Sequence, residues 1–390
     1  MRLAVVDDRY PELYGAQENV LILSELCLAA GHEPVFVTIA PGRLATEAEA
    51  RGLETLVVDA PARLRQFERA AIANGPIASL RYGIDLARYN LTLARALRRL
   101  DPDLILVAAV RPALLLVFSR MLLGRPIVLY AQNSISFGLF AVVAGWISTR
   151  IALIGEGARS TFPGWFQRRV AARFVPLPSG RDFARYDRND VEVHERSETP
   201  SDDGPVHLVT ICSITERKGI HHLLAVLDDL RSRGVEARLT VVGSTTGSQS
   251  QQYDARLRRI VADRDLDVDF AGWLDDVVPV LRQADVFVLA SADEGLPGVL
   301  LEAMAVGVAC VTTRAGSAGE LVEGCEAGVA VPIGDTAAFA DAVANLVDRP
   351  ERRTAMANAG YANVRARYSL DAFFERFDAI AAPLVAARAR

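Results

Sequence analysis

DVFVLASADEGLPGVLLEAMAVG, residues 285–307, decides how the chain is read. Its first six residues are almost wholly apolar and do not alternate, the pattern of a strand buried on both faces of a parallel sheet. The run breaks at Gly295-Leu296-Pro297-Gly298 and resumes as a segment of helix formers. Strand, glycine-broken turn and helix in that order are the repeating unit of an α/β fold. The turn leaves the first N–H groups of the helix without helical partners, which is a natural seat for an anion. Two carboxylates bracket that seat, Glu294 at the strand end and Glu302 one turn into the helix. Carboxylates accept hydrogen bonds from hydroxyls, so an anion with polyols on either side, as in a nucleotide-sugar, suits the pattern. By spacing alone, the two glutamates serve equally well as a solvated loop residue and a partner of the helix dipole.

Moving outward, the strand-and-helix alternation repeats. VHLVTIC (206–212), ARLTVVG (237–243), DVDFAG (267–272) and VACVTT (308–313) read as strands, and 220–233 as a helix stopped by Gly234. From Thr336 onward the chain reads as mostly helical. The N-terminal half shows the same order. RLAVVD (2–7), PVFVTI (34–39), LETLVVD (53–59), LILVAAV (104–110), PIVLYAQ (126–132), RIALIGE (150–156) and ARFVPLP (172–178) are strands, with helices over 17–30 and through the arginine-rich stretch 62–100. Residues 181–205 are polar, charged and nearly free of large aliphatics, the composition of a linker. The expectation is an α/β protein of two Rossmann-like, doubly wound domains. They divide as residues 1–185, a linker over 186–205, residues 206–365, and a C-terminal helix over 366–390.

Composition narrows the function. With 390 residues, 51% hydrophobic, the chain is long enough for two cores and too apolar for a disordered protein. A net charge of −5 offers nothing global to nucleic acid. Cys27, Cys212, Cys310 and Cys325 form no CxxC pair and read as buried thiols in a reducing compartment. No metal-binding cluster is read from the histidines and cysteines. The N-terminus turns acidic within seven residues, unlike a signal peptide, and Arg111, Pro112 and Arg120 interrupt the most apolar stretch, 104–123. A cytoplasmic protein is expected, with association at the inner face of the membrane as an added expectation from the arginines of 62–100. Among 43 basic side chains there is one lysine, Lys218, so 42 are arginine. A compact ammonium kept against that bias makes Lys218 a candidate for a crowded anion site, with an ordinary exposed lysine as the alternative reading. Asp101-Pro102-Asp103 has a metal-binding DxD spacing but precedes a strand and is read as a structural turn. Residues 155–160 are an incomplete dinucleotide fingerprint.

EGLPGVLLEAMAVGVACVTTRAGSAGELVEGCEAGVAVPIGD (294–335) closely resembles the signature of the retaining family-four glycosyltransferases of GT-B architecture, and the resemblance spans about residues 206–347. It implies two domains facing across a cleft, donor on the second and acceptor on the first, with the C-terminal helices packing back on the first. ICSITERKGIHHLLAVL (211–227) resembles the family's first donor-domain strand, loop and helix. By that resemblance Lys218, followed by Gly219, binds the donor diphosphate. The family's arginine five residues earlier is Ser213 here, and Arg217 is the candidate to supply the missing charge. Glu294 would hold the donor sugar and Glu302 the ribose, with Gly295, Leu296, Pro297, Gly298 and Val299 forming the turn around the donor. Gly272, Trp273 and Leu274 would bracket the base; core packing is an equal reading for Trp273. Glu320 matches a family glutamate and equally suits a role at the start of its own helix.

In the first half the resemblance is looser. Gly15 and Ala16 stand where the family has a small-residue turn, and Gln132-Asn133 where many relatives have a histidine near the reacting sugar. Ser179 replaces an asparagine of the family's P-N-G-x-D segment. The implied function is metal-independent, retaining transfer of a sugar from a nucleotide-sugar, UDP-sugar by preference, to a glycan, lipid-linked glycan or small-molecule hydroxyl. No cofactor is implied. A non-catalytic nucleotide-sugar-binding relative is the second reading, and a nicotinamide-dependent oxidoreductase the third, lacking a complete G-x-G-x-x-G. Lys218→Ala or Glu294→Ala is expected to abolish transfer with thermal stability nearly unchanged.

Overall fold

The strands of the first half assemble by hydrophobic run rather than by alternation, as sheets covered on both faces require. In the computed structural model, which describes residues 1–8, 15–65, 76–132, 138–186, 204–245 and 247–387, they are β1 (Arg2–Asp7), β2 (Glu33–Thr38), β3 (Glu54–Val57), β4 (Leu104–Val107), β5 (Ile127–Ala131), β6 (Arg150–Leu153) and β7 (Phe174–Pro176). They form one parallel sheet in the order β3-β2-β1-β4-β5-β6-β7. The apolar stretch 104–123 is β4 followed by short helical turns ending at Leu123. No helix among the described residues is long and apolar enough to cross a membrane. Asp103 closes a turn onto the start of β1: the Arg2 amide donates to Asp103 Oδ2 at 2.8 Å, and the Asp103 amide to the Arg2 carbonyl at 2.8 Å, while Asp101 pairs with Arg125.

The second half builds a separate sheet from β8 (Val206–Ile211), β9 (Ala237–Val242), β10 (Val268–Gly272), β11 (Val286–Leu289), β12 (Ala309–Thr313) and β13 (Gly328–Val331), ordered β10-β9-β8-β11-β12-β13. β13 is the strand that the reading by sequence missed; GVAV is short and lies inside a glycine-rich stretch. Period-2 geometry sends alternate residues to opposite layers. Leu208, Val286, Val288, Ala309 and Val311 pack under the helices Ile220–Ser232 and Thr336–Asp348. Val209, Phe287, Leu289 and Cys310 pack under Gly298–Ala305, Ala318–Gly324 and the far end of Pro350–Tyr368. All four cysteines are free and buried.

The chain divides into two compact units, Met1–Gly180 with Leu370–Arg390, and Arg181–Ser369. Arg181 through Tyr186 side with the second unit because the Arg181 amide donates to the Tyr368 carbonyl at 2.8 Å and Phe183 and Tyr186 enter the core around Phe287. The last helix, Leu370–Ala386, packs in the first unit, where Phe373 meets Tyr130 of β5 with ring centroids 6.3 Å apart and Phe374 meets His32. Most of the linker read over 186–205 lies outside the described residues.

Candidate functional site

The order β9-β8-β11-β12 places a topological switch between β8 and β11, and in open α/β sheets ligands bind beyond the carboxyl ends of the strands at such a switch. The loops leaving these two strands carry Lys218 and Glu294. After β8 the chain makes a single 3-10 turn, Glu216–Lys218, and reverses at Gly219, whose φ is 68°. A Cβ at Gly219 would run into the Ala290 carbonyl, so glycine lets the turn lie flat against the end of β11. Arg217 latches the two loops: its carbonyl accepts the Ala292 amide at 2.8 Å, and its guanidinium donates to the Asp293 carbonyl at 2.5 Å. The latch brings Lys218 Nζ to 2.5 Å from Glu294 Oε1, with only 14% and 8% of the two side chains exposed. From the other side, Gly316 (φ 53°) approaches so closely that a Cβ would overlap the Glu294 carbonyl. The expectation of unchanged stability on removing Lys218 is therefore corrected, because a largely buried carboxylate would be left unpaired.

Pro297 is extended and Gly298 opens the helix Gly298–Ala305. Glu302 lies on this helix facing a group of donors from Arg181, Arg185 and Tyr186. Arg185 Nη2 is 4.0 Å from Glu302 Oε1, and Tyr186 hydrogen-bonds the same carboxyl. Burial pushes the Glu302 carboxyl above its ordinary range, opposed by the Arg181 and Arg185 charges and the Tyr186 bond. Burial likewise pushes the Tyr186 phenol up to about 12. Arg181 Nη2 would stand 3.1 Å from a Cβ on Gly298. In the sequence this group is signalled by the resemblance of VPLPSGRDFARY (175–186) to the family's P-N-G-x-D segment, a hinge or site-lining stretch.

Beyond β10, Gly272 takes a φ of 73° and its carbonyl accepts the Gly243 amide at 2.7 Å. Trp273 is 72% exposed, its indole donating to Asp275 Oδ1 at 3.2 Å, so core packing is excluded for it. Leu274 is half-buried, and Leu296 and Val299 are partly buried against the second core layer. Glu320 is exposed in the first turn of Ala318–Gly324.

In the first unit, Gly15 and Ala16 open the helix Gly15–Ala29. Gln132 is buried, with Oε1 accepting from Asn19 Nδ2 at 3.0 Å and Nε2 donating to the Ala108 carbonyl at 3.3 Å; both ends of its amide are engaged in holding loops together. Asn133 lies outside the described residues. Reading by sequence passed over Asp7, which ends β1, and Asp8, which follows it. Asp7 is wholly buried with Oδ1 accepting the Asp8 amide at 2.7 Å, and Asp8 pairs with Arg111 Nε at 2.8 Å. Burial, reinforced by the neighbouring Asp8 charge, pushes the Asp7 carboxyl up to about 8. Among the described residues no group of histidines, cysteines and carboxylates is arranged to hold a metal ion.

Residues 205–349 match the family described as "Glycosyl transferases group 1". The chain is 32% identical over 182 residues, 46% of its length, to the lipopolysaccharide core biosynthesis glycosyltransferase LpsE of Rhizobium meliloti. It is 31% identical over 217 residues, 52% of its length, to the GDP-mannose-dependent monoacylated alpha-(1-6)-phosphatidylinositol monomannoside mannosyltransferase of Corynebacterium glutamicum. These matches span 50% and 54% of the relatives' own lengths. The fold resembles Anabaena Alr3699/HepE, solved in complex with UDP, at a TM-score of 0.77 and 16% identity, over 98% of this chain and 100% of that one. The match to the group 1 glycosyltransferases covers residues 205–349, and the fold of the chain is of GT-B architecture.

Proposed function

We propose that this glycosyltransferase takes its sugar from a nucleotide-diphosphate donor, a UDP-sugar by preference, and passes it to an acceptor hydroxyl with retention of anomeric configuration and without a metal ion. The observation that carries the reading is the Lys218–Glu294 pair at the switch between β8 and β11, beside the glycine-opened helix that holds Glu302. Breaking the anomeric C–O bond leaves an oxocarbenium-like sugar and a growing negative charge on the diphosphate. Lys218 and the first N–H groups of Gly298–Ala305 are donors fixed in advance for that charge. Glu294, paired with Lys218, is in turn placed to accept from hydroxyls of the donor sugar, and Glu302 from those of the ribose. The acceptor attacks from the face the diphosphate leaves, and the departing phosphate oxygen takes the acceptor proton. The UDP complex of HepE favours uridine, while the corynebacterial relative uses GDP-mannose. The test is proton NMR of donor and product in EDTA. The expected result is a product anomeric proton of the donor's configuration at an undiminished rate. Inversion, or a rate that collapses in EDTA and returns with a divalent cation, contradicts the corresponding part.

An acceptor at an anionic membrane surface is favoured by one face of the first unit. Met121 (80% exposed) and Leu122 end the helix Val117–Leu123, and Leu139 (73% exposed) and Phe140 begin Leu139–Ile147. Beside them runs Pro76–Leu100, tied on through Asn90 Oδ1, which accepts the Phe118 amide at 3.2 Å, with Arg88, Arg95 and Arg98 exposed along it. Apolar side chains flanked by guanidiniums suit the boundary between acyl chains and anionic headgroups. The chain should float with phosphatidylglycerol vesicles at low salt and much less with phosphatidylcholine ones. Equal flotation with both, or with neither, would sink the idea.

A further inference from the structure

We infer that Tyr186 is a positioning residue for Glu302: its phenol holds that carboxylate ionised and fixed, and so sets the preference of the site for ribose over a sugar stripped of its hydroxyls. This rests on the donor reading above. The phenol is buried, its ring tilted against Phe183 with centroids 6.2 Å apart in the core around Phe287. The Tyr186 amide donates to the Phe183 carbonyl at 3.0 Å, which fixes the backbone. A hydroxyl in that setting needs partners within the protein, and it has two, Arg185 and Glu302.

The direction of the two bonds follows from their donors. Arg185 Nη2 donates to the phenol oxygen, and its guanidinium lies 4.7 Å from the ring centroid. A guanidinium has no acceptor, so the phenol proton is left for Glu302. A bond to a charged acceptor is roughly twice as strong as one to a neutral acceptor, so a donating phenol favours the ionised carboxyl. Burial works the other way, pushing Glu302 toward its neutral form; Arg181 and Arg185 oppose burial through charge, and Tyr186 through its hydrogen bond. Arg185 is shared, since Asp276 also faces it, and its Nη2 stands 4.0 Å from Glu302 Oε1, beyond hydrogen-bond reach. Burial lifts the phenol itself to about 12, so it remains a donor throughout the neutral range. A carboxylate tied down by one donor keeps lone pairs for ligand hydroxyls, and a site built to bond a hydroxyl rejects the analogue that lacks it.

The test is calorimetric titration of the full-length chain with UDP, GDP and ADP and with their 2′,3′-dideoxy counterparts. It compares the wild type, Tyr186→Phe, Glu302→Gln and the double variant, at about pH 6 and about pH 8. Tyr186→Phe keeps the ring in the core and removes only the hydroxyl. The readout is the ratio of ribose to dideoxy affinity, in which titration of the diphosphate cancels. Tyr186→Phe should lower that ratio about 10-fold at the lower pH, the range of a lost charged hydrogen bond, with dideoxy binding unchanged. The loss should shrink at the higher pH, because a carboxyl deprived of its donor titrates higher and ionises there unaided. In the Glu302→Gln background the phenol should make no further difference. A Tyr186→Phe ratio equal to the wild type's at both pH values, with the ratio lost in Glu302→Gln, overturns the role of Tyr186 and leaves the donor reading standing. A loss shared by ribose and dideoxy forms, or one that persists in the Glu302→Gln background, also overturns it, since the residue would then act through the fold. A wild type that binds none of the three diphosphates removes both the inference and the donor reading.

Discussion

Lys218→Ala is expected to lower sugar transfer about 100- to 1,000-fold, the usual cost of removing one fixed donor from a developing negative charge. It is also expected to lower stability, on the order of 3 kcal/mol, because Glu294 is 8% exposed and would lose its partner. The two effects separate by construction. Restoring apolar balance in Lys218→Met combined with Glu294→Gln should recover much of the stability, since neither buried charge remains, while transfer stays lost. Thermal unfolding and NMR progress curves on the singles and the double read this out. A single variant with wild-type turnover removes Lys218 from the chemistry. A double variant less stable than both singles shows that the pair is not what holds the two loops.

The second large effect concerns Asp7. Burial of the whole side chain, with the Asp8 charge beside it, pushes its carboxyl from the ordinary carboxylate range up to about 8. A raised folded value means that folded protein keeps a proton that unfolded protein has released. Asp7 therefore contributes stability that is fully present below about pH 4 and is lost as pH rises toward 8. The slope is at most about 1.4 kcal/mol per pH unit for one proton. Asp7→Asn keeps an acceptor for the Asp8 amide and has no proton to lose. The variant should gain stability relative to wild type by several kcal/mol between pH 5 and 8, with the difference growing as pH rises. Denaturant unfolding at three pH values measures it; parallel curves for variant and wild type would show that Asp7 is ionised throughout the range.

Much of the fold was legible because parallel sheets covered on both sides are written as uninterrupted apolar runs. LILV of β4, IVLYA of β5 and VFVL of β11 need no partner to be recognised. β13 was not, since four residues of Gly, Val and Ala carry too little side chain to announce a strand. In the site, Lys218 stood out through its rarity and Glu294 and Glu302 through the glycine-broken turn, all local signals. Arg181 and Tyr186 did not, because what gives them meaning is Glu302, over a hundred residues away in the chain. Gln132 shows the converse: its place after β5 suggested a ligand contact, whereas hydrogen bonds to Asn19 and Ala108 occupy its amide within the fold. Composition likewise could not say whether Trp273 was inside or out.

The account stands on a nucleoside diphosphate held at Lys218 and the opening of the helix Gly298–Ala305. Isothermal titration of the wild type and Lys218→Ala with UDP, GDP and ADP, in EDTA, tests this most directly. One of the three should bind the wild type at a single site, far more tightly than its nucleoside, and lose most of that affinity in the variant. Equal affinity for diphosphate and nucleoside, or a variant that binds as the wild type does, would contradict it.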